Sequence, residues 1–281
     1  MHTGLTIFPT DYSISMPDLA REAEARGFES LWVSEHSHIP VSRKSPYPAG
    51  GELPKMYYDT LDPFVALAAA ASVTERIKLG TGVCLVIQRD PIHTAKEVAS
   101  LDRVSNGRFL FGVGGGWNVE EMADHGTRAE QRFRLLRERI EAMKTLWTEK
   151  EAEYHGELVH IERSYMWPKP VQKPYPPIHV GGAWPSAAKR AVAYGDGWLP
   201  IAIPGDRMAE RVVELREMAT KAGRDPAKIE VSVFGVVAKE KVLAGYRDAG
   251  VTRVVLGLPP ADRDTLLPLL DRFAATVRDV G

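Results

Sequence analysis

One unit recurs along this chain: a short apolar run, then an amphipathic helical pattern, then a glycine or proline before the next apolar run. Runs rich in β-branched and aromatic residues and bounded by Gly or Pro are typical of buried strands. Alternation of strands with helices predicts a parallel sheet, and eight such units close a (β/α)8 TIM barrel. The predicted strands are Leu5–Phe8, Ser30–Ser34, Lys78–Leu85, Arg108–Val113, Pro177–Val180, Trp198–Ile201, Glu230–Val237 and Arg253–Leu258.

A doubly wound open sheet is the competing architecture. That fold requires G-x-G-x-x-G directly after the first strand, whereas this sequence reads Phe8-Pro9-Thr10-Asp11 there. The chain has 281 residues, and α/β barrels of about 250 residues fold as one domain. We therefore expect a single α/β barrel domain over residues 1–281.

Prolines and glycines mark the helix boundaries. Prolines that fit a first helical turn are Pro17, Pro63 and Pro91, the last two directly after the candidate caps Asp62 and Asp90. Glycines placed to close a helix in the left-handed conformation are Gly27, Gly107, Gly195 and Gly250.

Two segments exceed a minimal barrel. Residues 35–60, after the second strand, are rich in Pro and Gly, and residues 150–177, between the fourth and fifth strands, combine a predicted hairpin (AEYHGELVHIE) with a proline tract. Long loops in compact domains are mostly functional or disordered. Because these hold tyrosines, a tryptophan and fixed prolines, we expect ordered walls of an active site.

Charge and cysteine content narrow the function classes. Lys and Arg number 36 against 37 Asp and Glu, which offers no bulk attraction for nucleic acid or an anionic membrane. The single cysteine, Cys84, excludes a disulfide framework and fits a reducing cytoplasm. No apolar stretch reaches the ~18 residues of a membrane span, and the N-terminus lacks a signal-peptide pattern.

Glycines and tryptophans dominate the predicted carboxyl ends of the strands, where a barrel carries its chemistry. Glycine lets a ligand approach the backbone, so the runs Gly114–Gly116 and Gly181–Gly182 favour ligand contact over simple tight turns. Trp117 and Trp184, with Trp198 and Phe8, form a candidate wall for a flat aromatic ligand. Ser186 opens the next helix, where it is either an ordinary N-cap or part of an anion site.

His36 and His38 also fit a metal site, because a His-x-His at a strand end projects two imidazoles on one side. Such a site needs further ligands at later strand ends, and the sequence offers none there, so we expect no metal. Cys84 lacks a paired base and is better explained as a buried apolar residue.

The sequence resembles the luciferase-like oxidoreductases, in particular the branch that uses the deazaflavin coenzyme F420. The resemblance rests on four segments in order over roughly residues 5 to 200: ARGFESLWVSEH, ERIKLGTGVCL, NGRFLFGVGGGWNVEE and HVGGAWPSAAKRAVAYGDGW. It implies a (β/α)8 barrel with His36 facing the deazaflavin ring. It also implies a non-prolyl cis peptide at Gly82–Val83 behind that ring.

The resemblance further implies which residues contact the cofactor. Besides His36, Gly82 and Val83, they are Gly114, Gly115, Gly116, Gly181, Gly182 and Ala183. Further candidate cofactor-binding residues, named for their positions at strand ends or in the helix after Gly181–Gly182, are Phe8, Trp117, Asn118, Ser186 and Arg190. Two departures limit the resemblance. Trp117 stands where sugar-phosphate dehydrogenases carry a glutamate acid, which argues against sugar oxidation. Gly115 stands where FMN monooxygenases carry a phosphate-binding arginine, although Arg190 is a candidate substitute.

These observations predict an F420-dependent oxidoreductase that moves a hydride between the deazaflavin and a small, apolar organic substrate. His36 is the expected proton donor or ring-polarising group, with Glu35 either orienting it or capping the next loop. The alternatives are an FMN-dependent monooxygenase and a non-catalytic flavin-binding protein. We also expect a homodimer, paired through helical faces at Leu67, Ala71, Ile92 and Ala95.

Overall fold

The computed structural model describes residues 1–280, and its strands alternate with helices as the sequence predicts. The strands are β1 (His2–Ile7), β2 (Ser30–Val33), β3 (Lys78–Thr81), β4 (Phe109–Val113), β5 (Ala152–His155), β6 (His160–Ser164), β7 (Ile178–Gly181), β8 (Gly197–Leu199), β9 (Glu230–Val236) and β10 (Arg253–Gly257). The helices are α1 (Met16–Ala25), α2 (Met56–Asp59), α3 (Pro63–Ala71), α4 (Pro91–Val104), α5 (Val119–Asp124), α6 (Arg132–Thr148), α7 (Ser186–Tyr194), α8 (Gly205–Lys221), α9 (Glu240–Asp248) and α10 (Arg263–Val280).

Eight strands form a closed parallel barrel in the order β1-β10-β9-β8-β7-β4-β3-β2. Pairing of β1 with β10, in register from His2 opposite Arg253 to Thr6 opposite Gly257, closes the ring. The predicted (β/α)8 barrel is therefore confirmed. The third strand is shorter than predicted, since β3 ends at Thr81 and only Cys84 beyond it bridges to Val113.

The predicted helix starts are confirmed by capping hydrogen bonds. The Asp62 carboxylate accepts from the first turn of α3, and Asp90 does the same for α4. Gly27, Gly107 and Gly250 adopt positive φ angles of 81°, 78° and 74°. The expectation for Gly195 is wrong, because its backbone is extended (φ −104°). Close packing explains this glycine instead, since a Cβ there would lie 2.8 Å from Cγ2 of Val180.

Both insertions are ordered. Residues 35–60 contain the single turn α2, and the hydroxyls of Tyr47 and Tyr57 lie 3.2 Å apart within this segment. In the second insertion, β5 and β6 pair antiparallel, which confirms the predicted hairpin. Among the helices of residues 1–280, none is long and apolar enough to cross a membrane.

The helical faces proposed for dimer contact are mostly occupied within the chain itself. Leu67, Ala71 and Ala95 are buried against the barrel, so they are not available to a partner. Ile92 is half exposed, and Val65 on α3 is more exposed still. Burial within the chain therefore rules out Leu67, Ala71 and Ala95 as contact residues, while the homodimer itself stays a prediction.

An ion network seals the amino-terminal end of the barrel. Arg253 is fully buried, and its guanidinium donates to both carboxylate oxygens of Glu29 at 2.7 and 2.8 Å, to Glu230 at 2.9 Å and to the Ser232 hydroxyl at 2.8 Å. Burial alone would raise the pKa of Glu29, but its hydrogen bonds to Arg253 lower that pKa to about 2. A buried charge requires partners of this kind.

His179 lies in the same interior layer. Its ring is fully buried, edge-on to Trp32, and neither ring nitrogen has a hydrogen-bond partner among the described residues. Burial lowers the pKa of His179 to about 4. The Glu230 carboxylate, 3.6 Å away, acts in the opposite direction and raises this pKa, but burial has the larger effect. The imidazole is therefore neutral in the folded protein at neutral pH.

This burial predicts a pH dependence of stability. The unfolded chain binds a proton at His179 below about pH 6.5, whereas the folded chain does so only near pH 4, so stability falls as pH decreases between those values. We expect this residue to account for a loss of about 2–3 kcal/mol between pH 7 and 4.5. Urea unfolding of wild type and His179→Leu across that range measures it. Equal pH slopes in the two proteins would contradict the assignment.

Candidate functional site

A cavity of about 370 Å³ opens at the carboxyl ends of the barrel strands. Cofactor and substrate sites of barrel enzymes lie at this face, and ligand cavities commonly measure ~300–1,000 Å³. First and last strands both contribute to its walls, through Phe8 after β1 and Leu258 after β10. Its lining is mainly apolar and aromatic, with glycines where strands end.

Aromatic rings form one wall. The rings of Phe8 and Tyr57 lie 4.6 Å apart, and Trp117 lies 6.5 Å from Tyr57. Burial raises the pKa of the Tyr57 hydroxyl, and its contact with Tyr47 raises it further, so this phenol stays protonated. The sequence placed Phe8 and Trp117 here but missed Tyr57, whose only signal was a tyrosine within the long insertion.

The floor of the cavity follows β3. The Gly82–Val83 peptide bond is cis, as the resemblance implies, and both residues line the cavity. Gly114 and Gly181 lie behind Val83, where an added Cβ would approach its methyl groups to 2.5 and 2.7 Å. Gly114 and Gly181 thus leave space for the Val83 side chain. Of the three glycines Gly114–Gly116 that follow β4, Gly116 is the one that lines the cavity.

His36 lies at the cavity wall, held by a buried carboxylate from another element. Its Nδ1 is 2.8 Å from Oε2 of Glu121 on α5, and both side chains are almost fully buried. The other oxygen of Glu121 accepts from the backbone N–H of Ser37 at 3.1 Å. A carboxylate is an acceptor, so His36 carries its proton on Nδ1 and presents Nε2 as the free nitrogen.

The expectation that Glu35 orients His36 is wrong. The Glu35 carboxylate accepts from the Arg89 guanidinium and from the backbone N–H of Leu85, both at 2.5 Å. Consecutive residues of an extended segment point to opposite sides, so Glu35 turns away from the imidazole beside it. Its role is to fix the segment that follows β3.

Asn118 and Glu121 together explain the start of α5. The Asn118 side-chain oxygen accepts from the Glu121 backbone N–H at 3.2 Å, so Asn118 is a helix cap and not part of the cavity lining. Asn-x-x-Glu is the capping-box pattern, in which the glutamate folds back on the cap. Here the Glu121 side chain binds His36 instead. The sequence analysis missed Glu121 because the capping-box pattern already gave this glutamate a structural explanation.

A second pocket, of about 410 Å³, lies between α6 and α7. Arg190 lines it, and an added Cβ at Gly182 would lie 3.6 Å from the Arg190 guanidinium. Gly182, Ala183 and Ser186 are exposed, and none of them lines the cavity at the strand ends. Ser186 is the first residue of α7 and makes no side-chain capping bond, so the N-cap interpretation is wrong.

Arg190 carries an uncompensated charge. Its guanidinium lies over the Phe133 ring at 4.0 Å, and its Nε has no hydrogen-bond partner among the described residues. Burial lowers the pKa of Arg190, and the like charge of Arg132 lowers it further. The Phe133 ring also contacts Gly115, since an added Cβ there would lie 2.6 Å from it. Gly115 and the Arg190 cation therefore contact the same aromatic ring.

Trp184 and Trp198 do not wall the cavity. Their rings contact each other at 5.4 Å, and Trp198 donates to the Gly182 carbonyl at 3.0 Å.

A groove of about 940 Å³ lies elsewhere, on the outside between α6 and the proline tract around Trp167.

The structure gives no support to metal or thiol chemistry in the part it describes. Residues 1–280 contain no group of three or more His, Cys, Asp or Glu side chains arranged to hold a metal ion. Burial raises the pKa of the Cys84 thiol and the Glu35 carboxylate raises it further, so this cysteine is inert.

Comparison with known proteins identifies the family of the chain. The family described as luciferase-like monooxygenase matches residues 13–246. An uncharacterized protein of Mycobacterium tuberculosis is 43% identical over 98% of both chains. An F420-dependent glucose-6-phosphate dehydrogenase of Kineococcus radiotolerans is 29% identical, over 78% of this chain and 62% of its own.

Solved structures share the fold. An F420-dependent secondary alcohol dehydrogenase superposes with a TM-score of 0.78 over the full length of both chains at 19% identity. The monooxygenase RslO1 from Streptomyces bottropensis gives the same TM-score over 99% of both chains at 21% identity. The chain belongs to the luciferase-like family, and F420-dependent enzymes are among its relatives.

Filling the cavity tests its role. Gly257 lines the cavity, and an added Cβ there meets no atom within 4 Å. The side chain of Gly257→Val therefore starts in open space. We expect Gly257→Val to melt at the wild-type temperature and to bind a flavin or deazaflavin cofactor at least about tenfold more weakly, which is a loss of about 1.4 kcal/mol in binding free energy. The matched control is Gly245→Val on α9, a glycine that also has open space but lies outside the cavity. Equal binding by both variants would contradict the assignment.

Proposed function

We propose that this protein is an F420-dependent oxidoreductase that transfers a hydride between the deazaflavin and a small organic substrate. The observation that carries the proposal is the aromatic-walled cavity at the strand ends with the His36–Glu121 pair in its wall. Relatives that use F420 supply the choice of cofactor.

The cavity fits a flat tricyclic ring. Gly235 and Gly257 line the cavity without side chains, and a Cβ at either would enter open space that a ring can take. Phe8 and Trp117 offer aromatic faces, and Val83 supplies an apolar floor. When bound there, the deazaflavin would supply the hydride acceptor or donor at its C5 carbon.

His36 is the proton-handling group of this proposal. Because Glu121 accepts from Nδ1, Nε2 of His36 is the nitrogen that takes a proton from a hydroxyl in the cavity and returns it in the reverse direction. Burial of the pair excludes water and holds the ring in one orientation. A substrate that both loses a hydride and gives up a hydroxyl proton, such as a small alcohol, matches this arrangement.

The α6–α7 pocket supplies the anion site. Arg190 and the exposed Lys189 would hold the cofactor phosphate and the anionic tail beyond it. A charge-assisted contact contributes ~1.5–3 kcal/mol. Arg190 also favours the alternative, an FMN-dependent monooxygenase, since it provides the phosphate-binding arginine that the sequence lacks at Gly115.

Assembly and substrate remain part of the proposal. We propose a homodimer whose contact includes the exposed side chains Val65 on α3 and Ile92 on α4. The buried Leu67, Ala71 and Ala95 take no part in it. The cavity volume of about 370 Å³ leaves room for a small substrate beside the ring, and Trp117 makes its wall apolar.

Titration of the purified protein with coenzyme F420 and with FMN, followed by ring fluorescence, tests the proposal. We expect F420 to bind about tenfold tighter, since its longer anionic tail reaches Lys189 as well as Arg190, and we expect binding to weaken with salt. FMN binding that is equal or tighter, with oxygen consumed during turnover, would assign the monooxygenase instead. Wild-type protein that binds F420 but transfers no hydride to or from small alcohols and ketones would favour the non-catalytic alternative, whereas loss of activity in His36→Ala with F420 binding retained would argue against it.

A further inference from the structure

The side chains around Glu121 continue beyond His36 to the protein surface. The Ser37 hydroxyl lies 3.5 Å from Oε1 of Glu121, 2.9 Å from Nδ1 of His38 and 2.7 Å from Nε2 of His125. Nε2 of His38 in turn lies 2.9 Å from the Asp124 carboxylate. A continuous row of groups that donate and accept protons therefore joins the cavity wall to solvent.

The roles of the atoms in this row follow from their chemistry. The Asp124 carboxylate only accepts, so His38 carries its proton on Nε2 and leaves Nδ1 bare. The Ser37 hydroxyl has one proton and donates it to that bare nitrogen. His125 must then donate from Nε2 to the Ser37 oxygen. Ser37 therefore has two acceptors, His38 Nδ1 and Glu121 Oε1, for its one proton, and rotation about its C–O bond turns that proton from one to the other.

Burial changes along the row in the direction that a proton path requires. The side chains of His36 and Glu121 are 6% and 1% exposed, whereas those of His38 and Asp124 are 42% and 61% exposed. A purely structural role for Glu121 needs only its bonds to His36 and the Ser37 backbone. It does not require two half-exposed imidazoles, 5.6 Å apart, on the outer side of the same hydroxyl.

We propose that Glu121 and Ser37 relay protons between His36 and the surface imidazoles His38 and His125. This inference rests on the proposed function for its purpose, which is to reset His36 after each turnover. Other groups that face the row are Tyr57 and Trp117, whose rings contact His36 on its cavity side.

The transfer balances as follows. A proton from a substrate hydroxyl binds Nε2 of His36, and the Nδ1 proton passes to Oε2 of Glu121. Once the carboxyl group presents that proton at Oε1, it moves to the Ser37 oxygen, whose own proton passes to Nδ1 of His38. His38, now an imidazolium beside the Asp124 carboxylate, releases a proton to water. Glu121 and Ser37 end as they began, whereas His36 is left with its proton on Nε2 and His38 with its proton on Nδ1. When the product has left, Nε2 of His36 gives its proton to water in the cavity, and one proton returns from solvent along the row to Nδ1 of His36, which restores both imidazoles. No oxidant or reductant is consumed.

The exchange rate of the His36 Nδ1 proton with water tests the relay without cofactor or substrate. It is measured by NMR on the full chain labelled with 15N-histidine. Ser37→Ala removes the hydroxyl and should slow this exchange about tenfold or more, whereas Ser37→Thr restores it to within about twofold. The double variant His38→Gln/His125→Gln should slow exchange as Ser37→Ala does.

A second surface imidazole pair provides the matched control. His155 and His160 lie 5.2 Å apart on the β5–β6 hairpin, outside the row, so His155→Gln/His160→Gln should leave the exchange unchanged. Exchange that is unaffected in both Ser37→Ala and the His38/His125 double variant would overturn the relay. Because the measurement uses the protein alone, that result leaves the cofactor titration as a separate test of the proposed function.

Discussion

Closure of the barrel by hydrogen bonds between β1 and β10 is the constraint on which the site depends. In a closed parallel ring the first and last strands are neighbours and all eight carboxyl ends lie at one face, so Phe8 after β1 and Leu258 after β10 line one cavity. The loops that follow β2 and β4 then meet above the ring. Their meeting allows Glu121 to reach His36, which precedes it by 85 residues.

The two ends of the barrel divide stability and function between them. At the amino-terminal end, Arg253, Glu29 and His179 fill the interior with buried groups, each with a pKa set by burial and its neighbours. At the carboxyl end, glycines replace side chains and leave a cavity. Barrel enzymes commonly separate these tasks in the same way, which lets loops change chemistry while the ring is maintained.

The sequence predicted what depends on local pattern. Strand–helix alternation and capping residues such as Asp62 and Asp90 are local, and they were confirmed. The sequence could not predict contacts between distant segments. Glu35 was favoured because it is next to His36 in the chain. Glu121, which contacts His36, lies on another element and has the sequence pattern of an ordinary capping box. Arg190 was named as a substitute cation, but its contact with the Phe133 ring, which also contacts Gly115, depends on the packing of α7 against α6 and could not be predicted.

A crystal structure of the protein soaked with coenzyme F420 tests the central claim most directly, because it locates the ring relative to the cavity. The account predicts ring density between the aromatic wall of Phe8 and Trp117 and the floor at Val83, with His36 Nε2 facing the ligand and the phosphate beside Arg190. Ring density confined to the outer groove at Trp167, or none at saturating F420 while FMN occupies the cavity, would contradict it.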